Sequence, residues 1–359
     1  MPEQFLSFLL SKQRICLTTH ARPDGDAIGS QLALGLFLAK LGKEVDMINS
    51  DPVPTNLSWM PATDQILVFD KSIDHRQRFA RAEAIVILDA NALHRLGDVA
   101  PSVENSLAPK LLIDHHTEPE QWFTHTYERD SASSTGELIY ELIAAYDADF
   151  IDGSIATALY TAIMTDTGSF RYSAVVPGLH RIVADILERG NLTPAPIHTA
   201  VYDTRSLQSL RLLSSTLATI SLRHDGQIGY MFITSQMLRD LGADSEEAEG
   251  FVNYVLSIDG VKAGLLFLET AKGTKISFRS TGDVHVNGWA RAFGGGGHRN
   301  ASGAFVKQSL EKTIEEVMEA APRFVALSAV EAPDEDVLST EDASYLASLT
   351  DRKENKSGI

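Results

Sequence analysis

The sequence predicts an α/β protein. A larger N-terminal domain with a mainly parallel sheet flanked by helices leads through a helical linker to a smaller C-terminal α/β domain. Three observations carry this reading. Across the first half, short apolar runs alternate with helical patterns, the signature of β-α-β units. Between residues 183 and 222 the spacing is helical alone, interrupted by Gly190 and by Pro194 and Pro196. Beyond 222, strand-like runs resume and are closed by one more helix. The expected division is 1–188 for the first domain, 189–222 for the linker, 223–325 for the second domain and 326–359 for an acidic tail.

Residues 14–19 (RICLTT) form the first strand candidate. A helix follows over 28–41, with Ile28, Leu32, Leu36 and Ala39 at helical spacing and Gly42 as its stop. Residues 44–49 read as a second strand. The run 84–88 (AIVIL) is wholly apolar and so a buried central strand. Residues 111–113 give another strand, cut short by polar residues. Segments 134–145 and 154–165 read as helices. Within the connection, 206–220 is the longest helix. Strands over 228–234, 264–270 and 274–279 and a helix over 311–319 build the smaller domain. Residues 331–359 carry eight acidic and three basic residues with few large apolar ones, the composition of a mobile tail.

Composition bounds the function. With 44% hydrophobic and 22% charged residues among 359, the chain reads as soluble and globular. No segment approaches the roughly 20 apolar residues that span a membrane. The N-terminus makes a poor signal peptide, and the single cysteine, Cys16, excludes a disulfide framework. The expected compartment is the cytoplasm. A net charge of −17 with no basic run speaks against gripping long duplex nucleic acid, which needs many Lys and Arg contacts to phosphates. It leaves room for short phosphate-bearing substrates focused by metals and a few arginines.

Four clusters of metal-ligand residues lie in the first half: His20-Ala21-Arg22-Pro23-Asp24-Gly25-Asp26, Asp89, Asp114-His115-His116, and Asp166. His20, Asp89 and Asp114 fall at the carboxyl ends of expected strands, where open α/β sheets bind ligands. Asp166 is expected just after a helix, with Gly168 ending the turn. Buried charges cost several kcal/mol unless paired or bound to metal, so the set points to a hydrolase built around two divalent cations. The Pro-Asp-Gly turn alone would also suit a helix cap. Asp89, after four apolar residues, is placed to bridge two cations. Consecutive histidines send their rings in different directions, so one can hold metal while the other faces substrate. Asp114 would orient an imidazole. Mixed imidazole and carboxylate ligands suit Mn²⁺, with Mg²⁺, Co²⁺ or Zn²⁺ as alternatives.

Farther on, Gly294-Gly295-Gly296-Gly297-His298-Arg299-Asn300 is expected to bind substrate. Successive glycines let backbone N–H groups approach a phosphate. His298 and Arg299 add donors, Asn300 could read a base or ribose, and Arg279 is a candidate clamp. Arg171 and Tyr172 could shape the other side.

The order His-x3-Asp-x-Asp, Asp, Asp-His-His, Asp resembles the DHH phosphoesterase superfamily, which includes RecJ-type exonucleases and family II pyrophosphatases. The glycine run through Gly303 resembles the signature of the DHH-associated C-terminal domain. The resemblance covers residues 1–325 and looks most like the stand-alone bacterial oligoribonuclease/pAp-phosphatase (NrnA) type; it leaves the acidic tail unexplained. It implies two Mn²⁺ ions, one on His20, Asp24 and Asp89, the other on Asp26, Asp89, His115 and Asp166. Asp89 would bridge them, and His116 would contact the scissile phosphate or leaving oxygen. The implied activity is hydrolysis of short RNA oligonucleotides to mononucleotides and removal of the 3′-phosphate of pAp, in a cleft between the domains. A pApA or cyclic di-AMP phosphodiesterase shares all the motifs. An inorganic pyrophosphatase fits the second half less well, and a non-catalytic nucleotide sensor conflicts with the intact ligand set. A homodimer is compatible with the sequence.

Overall fold

A computed structural model describes residues 2–172, 174–282, 284–297 and 299–325. The chain divides into two compact units, the first ending at Leu207 and the second starting at Gln208.

The first unit holds a six-stranded sheet: β1 (Arg14–Thr19), β2 (Glu44–Asn49), β3 (Ile66–Val68), β4 (Ala84–Leu88), β5 (Lys110–Asp114) and β6 (His125–Glu128). Every pairing is parallel, and the strand order is β3-β2-β1-β4-β5-β6. Around it stand α1 (Pro2–Leu10), α2 (Gly25–Lys40), α3 (Ile73–Arg81), α4 (Ala100–Asn105), α5 (Thr135–Asp147), α6 (Gly153–Asp166), α7 (Pro177–Gly190) and α8 (Pro194–His198). The period of two along each strand divides the apolar side chains between the faces. Val86 and Leu88 join Leu17 and Leu111 in the core beneath α2, α5 and α6. Ile85 and Ile87 join Cys16, Phe79 and Val103 beneath α3 and α4. A strand buried on both faces has to be apolar throughout, as residues 84–88 are.

Expected and observed strands coincide at β1, β2 and β4. Helix α2 starts at Gly25, three residues before the expected first turn, because the Asp24 carboxylate accepts from the amides of Asp26 and Ala27 and caps it. α2 runs against α6 at backbone distance. A Cβ on Gly29 would lie 2.5 Å from Ala158 O and 2.9 Å from Ala162 Cβ. At Gly136, in the first turn of α5, it would meet Ala162 Cβ at 2.5 Å.

In the second unit, α9 (Leu207–Leu217) precedes β7 (Ser221–Arg223), β8 (Ile228–Ile233), α10 (Ser235–Leu241), α11 (Val252–Leu256), β9 (Ala263–Thr270) and β10 (Gly273–Ser280). Then come α12 (Asn287–Ala292), β11 (Gly296–Gly297), β12 (Ala301–Val306) and α13 (Leu310–Ala320). The sheet order is β11-β12-β10-β9-β8-β7, antiparallel except for the β8–β9 pair. Phe267, Phe278 and Trp289 pack on the α12 and α13 side, and Leu212, Leu266 and Phe251 on the other.

The segment expected as a connection, 189–222, is shared between the two cores: Ile197 and Val201 pack in the first, Leu212 and Leu213 in the second. The acidic tail expected over 326–359 lies outside the described residues. No helix of the described residues is long and apolar enough to cross a membrane.

Candidate metal centre

The strand order reverses between β1 and β4, which lie side by side and parallel while the chain adds strands outward on either side of them. That is where a doubly wound sheet leaves a crevice at its carboxyl edge. His20 follows β1, Asp89 follows β4, and Asp114 ends β5 with His115 and His116 next. Asp24 and Asp26 open α2, and Asp166 is the last residue of α6 rather than a residue beyond it. Asp89 takes φ of +57° and Arg22 takes +55°. Such left-handed backbone is tolerated by Asp better than by most residues, and here it turns the chain sharply after β4.

The sequence-predicted ligands converge. His20 Nε2 lies 3.3 Å from Asp89 Oδ2 and 3.9 Å from Asp24 Oδ1. His115 Nε2 lies 3.3 Å from Asp166 Oδ2, 3.7 Å from Asp89 Oδ1 and 3.8 Å from Asp26 Oδ2. Asp89 therefore presents one oxygen to each group. In both histidines Nδ1 faces a backbone carbonyl, Ala21 O for His20 and Ala132 O for His115. Nδ1 thus donates to the carbonyl in each ring, and Nε2 is turned to the carboxylates.

His116 is held differently: its Nδ1 is 2.6 Å from Asp114 Oδ1, which also accepts from the His116 amide. Asp114, fully buried, orients this ring. Asp114→Asn should therefore lower kcat by about ten- to a hundredfold while Mn²⁺ affinity changes little, a split that steady-state assays and metal titration would read.

The electrostatics favour added positive charge. Burial pushes the Asp26 carboxyl up, and Asp89 and Asp166 push it further. Burial also opposes ionisation of Asp89, but the hydrogen bond to His20 and the nearby His116 and His115 outweigh it and hold its carboxyl low. For His20, burial disfavours the cation, yet Asp89 and Asp24 raise it to about 9. His115 is likewise raised, by Asp26, Asp89 and Asp114 against the cost of burial. The ion pairs that Asp26 and Asp89 make among the described residues are with imidazoles, none with Lys or Arg. Donor atoms of His20, Asp24 and Asp89 lie within 4.8 Å of one another, as do those of Asp26, His115 and Asp166. Carboxylate oxygens and imidazole nitrogens gathered around common points fit divalent cations.

Several supports escaped the sequence reading. Asp26 Oδ1 accepts from Ser30 Oγ and the Gly136 amide, and its Oδ2 from the Thr135 amide. Thr135 Oγ1 donates to Asp89 Oδ1 at 3.1 Å. The legible signal was Ser134-x-x-Glu137 before an apolar run, which marks a helix start; nothing in it names the carboxylate that this start would face.

In the second unit, residues expected to bind substrate also carry structural roles. Gly294 N donates to Arg291 O and Gly295 N to Ala290 O, closing α12. Gly296 and Gly297 pair with Gly303 and Ser302. A Cβ on Gly295 would lie 2.0 Å from Gly303 O, so glycine is required there by strand approach. The space beside Gly296 is open. Asn300 places its amide nitrogen within hydrogen-bond reach of Ser280 Oγ, Gly282 O and Val284 O, which helps fix a turn. Arg279 is half-buried and Arg299 exposed. His298 lies outside the described residues. Arg171 and Tyr172 are exposed beyond α6, with Arg171 Nε donating to Gly168 O.

Comparison with known proteins identifies both domains. Residues 14–163 match the model of the DHH family, N-terminal domain, and residues 226–327 that of the DHHA1 domain. The bifunctional oligoribonuclease and PAP phosphatase NrnA of Thermus thermophilus is 32% identical over 309 residues, covering 85% of this chain and 88% of that protein. The protein of the same name from Bacillus subtilis is 28% identical over 294 residues, covering 81% and 89%. Among solved structures, an exopolyphosphatase-related protein from Bacteroides fragilis superimposes with a TM-score of 0.84 at 32% identity, over 90% of this chain and 98% of that one. Sequence, fold and ligand order together place the chain in the DHH phosphoesterase family, with a DHH N-terminal domain followed by a DHHA1 domain.

Proposed function

We propose that the protein hydrolyses RNA oligonucleotides of two to a few nucleotides to mononucleotides and removes the 3′-phosphate of pAp, using two divalent cations, with Mn²⁺ preferred. The observation that supports this reading is the Asp26–Asp89–His115–Asp166 constellation, buried except at the half-buried Asp166, with Asp89 also facing His20. The relatives' activities, as their names state them, supply the substrate class.

His20, Asp24 and Asp89 would hold one cation, and Asp26, Asp89, His115 and Asp166 the other. When bound, such cations supply Lewis acidity and neutralise the charge that develops on a phosphoryl group. His116, fixed through Nδ1 by Asp114, presents its opposite nitrogen, Nε2, to the scissile phosphate or the leaving oxygen. That geometry suits protonation of the leaving oxygen. Arg279, Arg299 and the backbone around Gly296 and Gly297 are the proposed contacts to the remaining phosphate of the nucleotide.

The test is turnover of purified protein on pAp, pApA, cyclic di-AMP, pyrophosphate and RNA from dimers upward. Mononucleotides from short RNA and phosphate from pAp are expected, both abolished by chelation and restored by Mn²⁺. Activity confined to pApA and cyclic di-AMP, or to pyrophosphate, would overturn the substrate assignment. Activity indifferent to chelation would overturn the metal assignment.

A further inference from the structure

One short turn, residues 132–136, supports three of the side chains around one candidate cation position. Ala132 O faces His115 Nδ1 at 3.3 Å. The Thr135 amide donates to Asp26 Oδ2 at 2.7 Å, the Gly136 amide to Asp26 Oδ1 at 2.9 Å, and Thr135 Oγ1 to Asp89 Oδ1 at 3.1 Å. Each oxygen that Thr135 touches is also one that faces His115 Nε2. The other position draws its order from its own segment. His20 Nδ1 faces Ala21 O, and Asp24 Oδ1 accepts from the Asp26 and Ala27 amides.

We infer that Thr135 is a positioning residue that fixes the cation site of Asp26, His115 and Asp166 separately from the site of His20 and Asp24; the inference rests on the two-cation reading above. Asp89 Oδ1 has two lone pairs. The Thr135 hydroxyl takes one, and the same oxygen faces His115 Nε2 at 3.7 Å and His116 Nδ1 at 3.4 Å. Oδ2, the oxygen that faces His20, receives nothing from Thr135. The Thr135 amide meanwhile sets the direction of Asp26 Oδ2. One residue thus contacts both carboxylates that would hold this ion.

The turn is itself anchored, as a positioning element must be. Ser134 Oγ caps α5 by accepting from the Glu137 amide. Glu137 Oε2 accepts from the Ser133 amide, and its Oε1 from Arg129, which also binds Glu141. Thr135 is fully buried, so no solvent replaces its hydroxyl.

Valine is the discriminating substitution, since it keeps the shape and the backbone amide and removes only the hydroxyl. Metal-stripped full-length protein is titrated with Mn²⁺ by calorimetry, and electron paramagnetic resonance distinguishes paired from isolated ions. The wild type is expected to take two Mn²⁺ per chain. Thr135→Val should weaken one of the two affinities by about ten- to a hundredfold and leave the other unchanged, with the paired-ion signal lost at intermediate Mn²⁺. Thr135→Ser, which retains the hydroxyl, should restore both. Equal weakening of the two affinities, no weakening of either, or a serine variant no better than valine would overturn the assignment. A wild-type protein that binds fewer than two Mn²⁺ would instead overturn the two-cation reading beneath it.

Discussion

Replacing Asp89 by alanine should lower kcat/KM on every nucleotide substrate by about a thousandfold, equivalent to about 4 kcal/mol of lost transition-state stabilisation. No other side chain of the centre faces all three histidines: Oδ2 meets His20, and Oδ1 meets His115 and His116. Its loss removes a ligand from both proposed cations and leaves Thr135 Oγ1 without its acceptor. Asp89→Asn separates charge from shape, because Asn tolerates the left-handed backbone at this position. Both variants should fold and both should carry less bound metal, measured by elemental analysis after gel filtration. A near-normal kcat with full metal content in either variant would rule out the bridging role.

Gly29→Val should lower the melting temperature of the first unit by on the order of 10 °C. A Cβ at Gly29 falls 2.5 Å from the backbone oxygen of Ala158, which has no rotamer with which to escape, and 2.9 Å from Ala162 Cβ. Relief requires α2 and α6 to separate. The N-terminus of α2 brings Asp24 and Asp26 beside Asp166 at the C-terminus of α6, so activity should fall along with stability. Gly178→Ala is the control: in α7 the nearest atom to an added Cβ is Val176 Cγ2 at 4.0 Å, and alanine is the better helix former. Its melting temperature should hold or rise slightly. An unchanged melting temperature in Gly29→Val would show that the helix contact yields at little cost.

The legible parts of this protein are those where one residue's chemistry admits a single explanation. The run 84–88 could only be a strand buried on both faces, and it is. Carboxylates and imidazoles after β1, β4 and β5 could not be buried without partners, and they meet at the sheet's reversal point. Asp24 shows that two readings can hold together, since the same side chain caps α2 and faces His20. What escaped depends on partners distant in sequence. Thr135 and Gly136 become important only because α5 begins opposite Asp26, more than a hundred residues earlier in the chain. The glycines after α12 suit a phosphate cradle by type, but the sequence does not show that Gly295 and Gly297 also permit the close approach to β12. Asn300 has the donors to read a base, and the turn near Ser280 uses them.

Both sheets finish on their shortest strands. β3 has three residues and β6 four, while β7 has three and β11 two. Strand-to-strand aggregation starts from a long row of unsatisfied amides and carbonyls at a sheet's rim. Among the described residues no such row runs for more than a few positions, whereas the eight-residue strands β9 and β10 are enclosed between neighbours. Combined with a net charge of −17, this should keep concentrated protein clear of fibres.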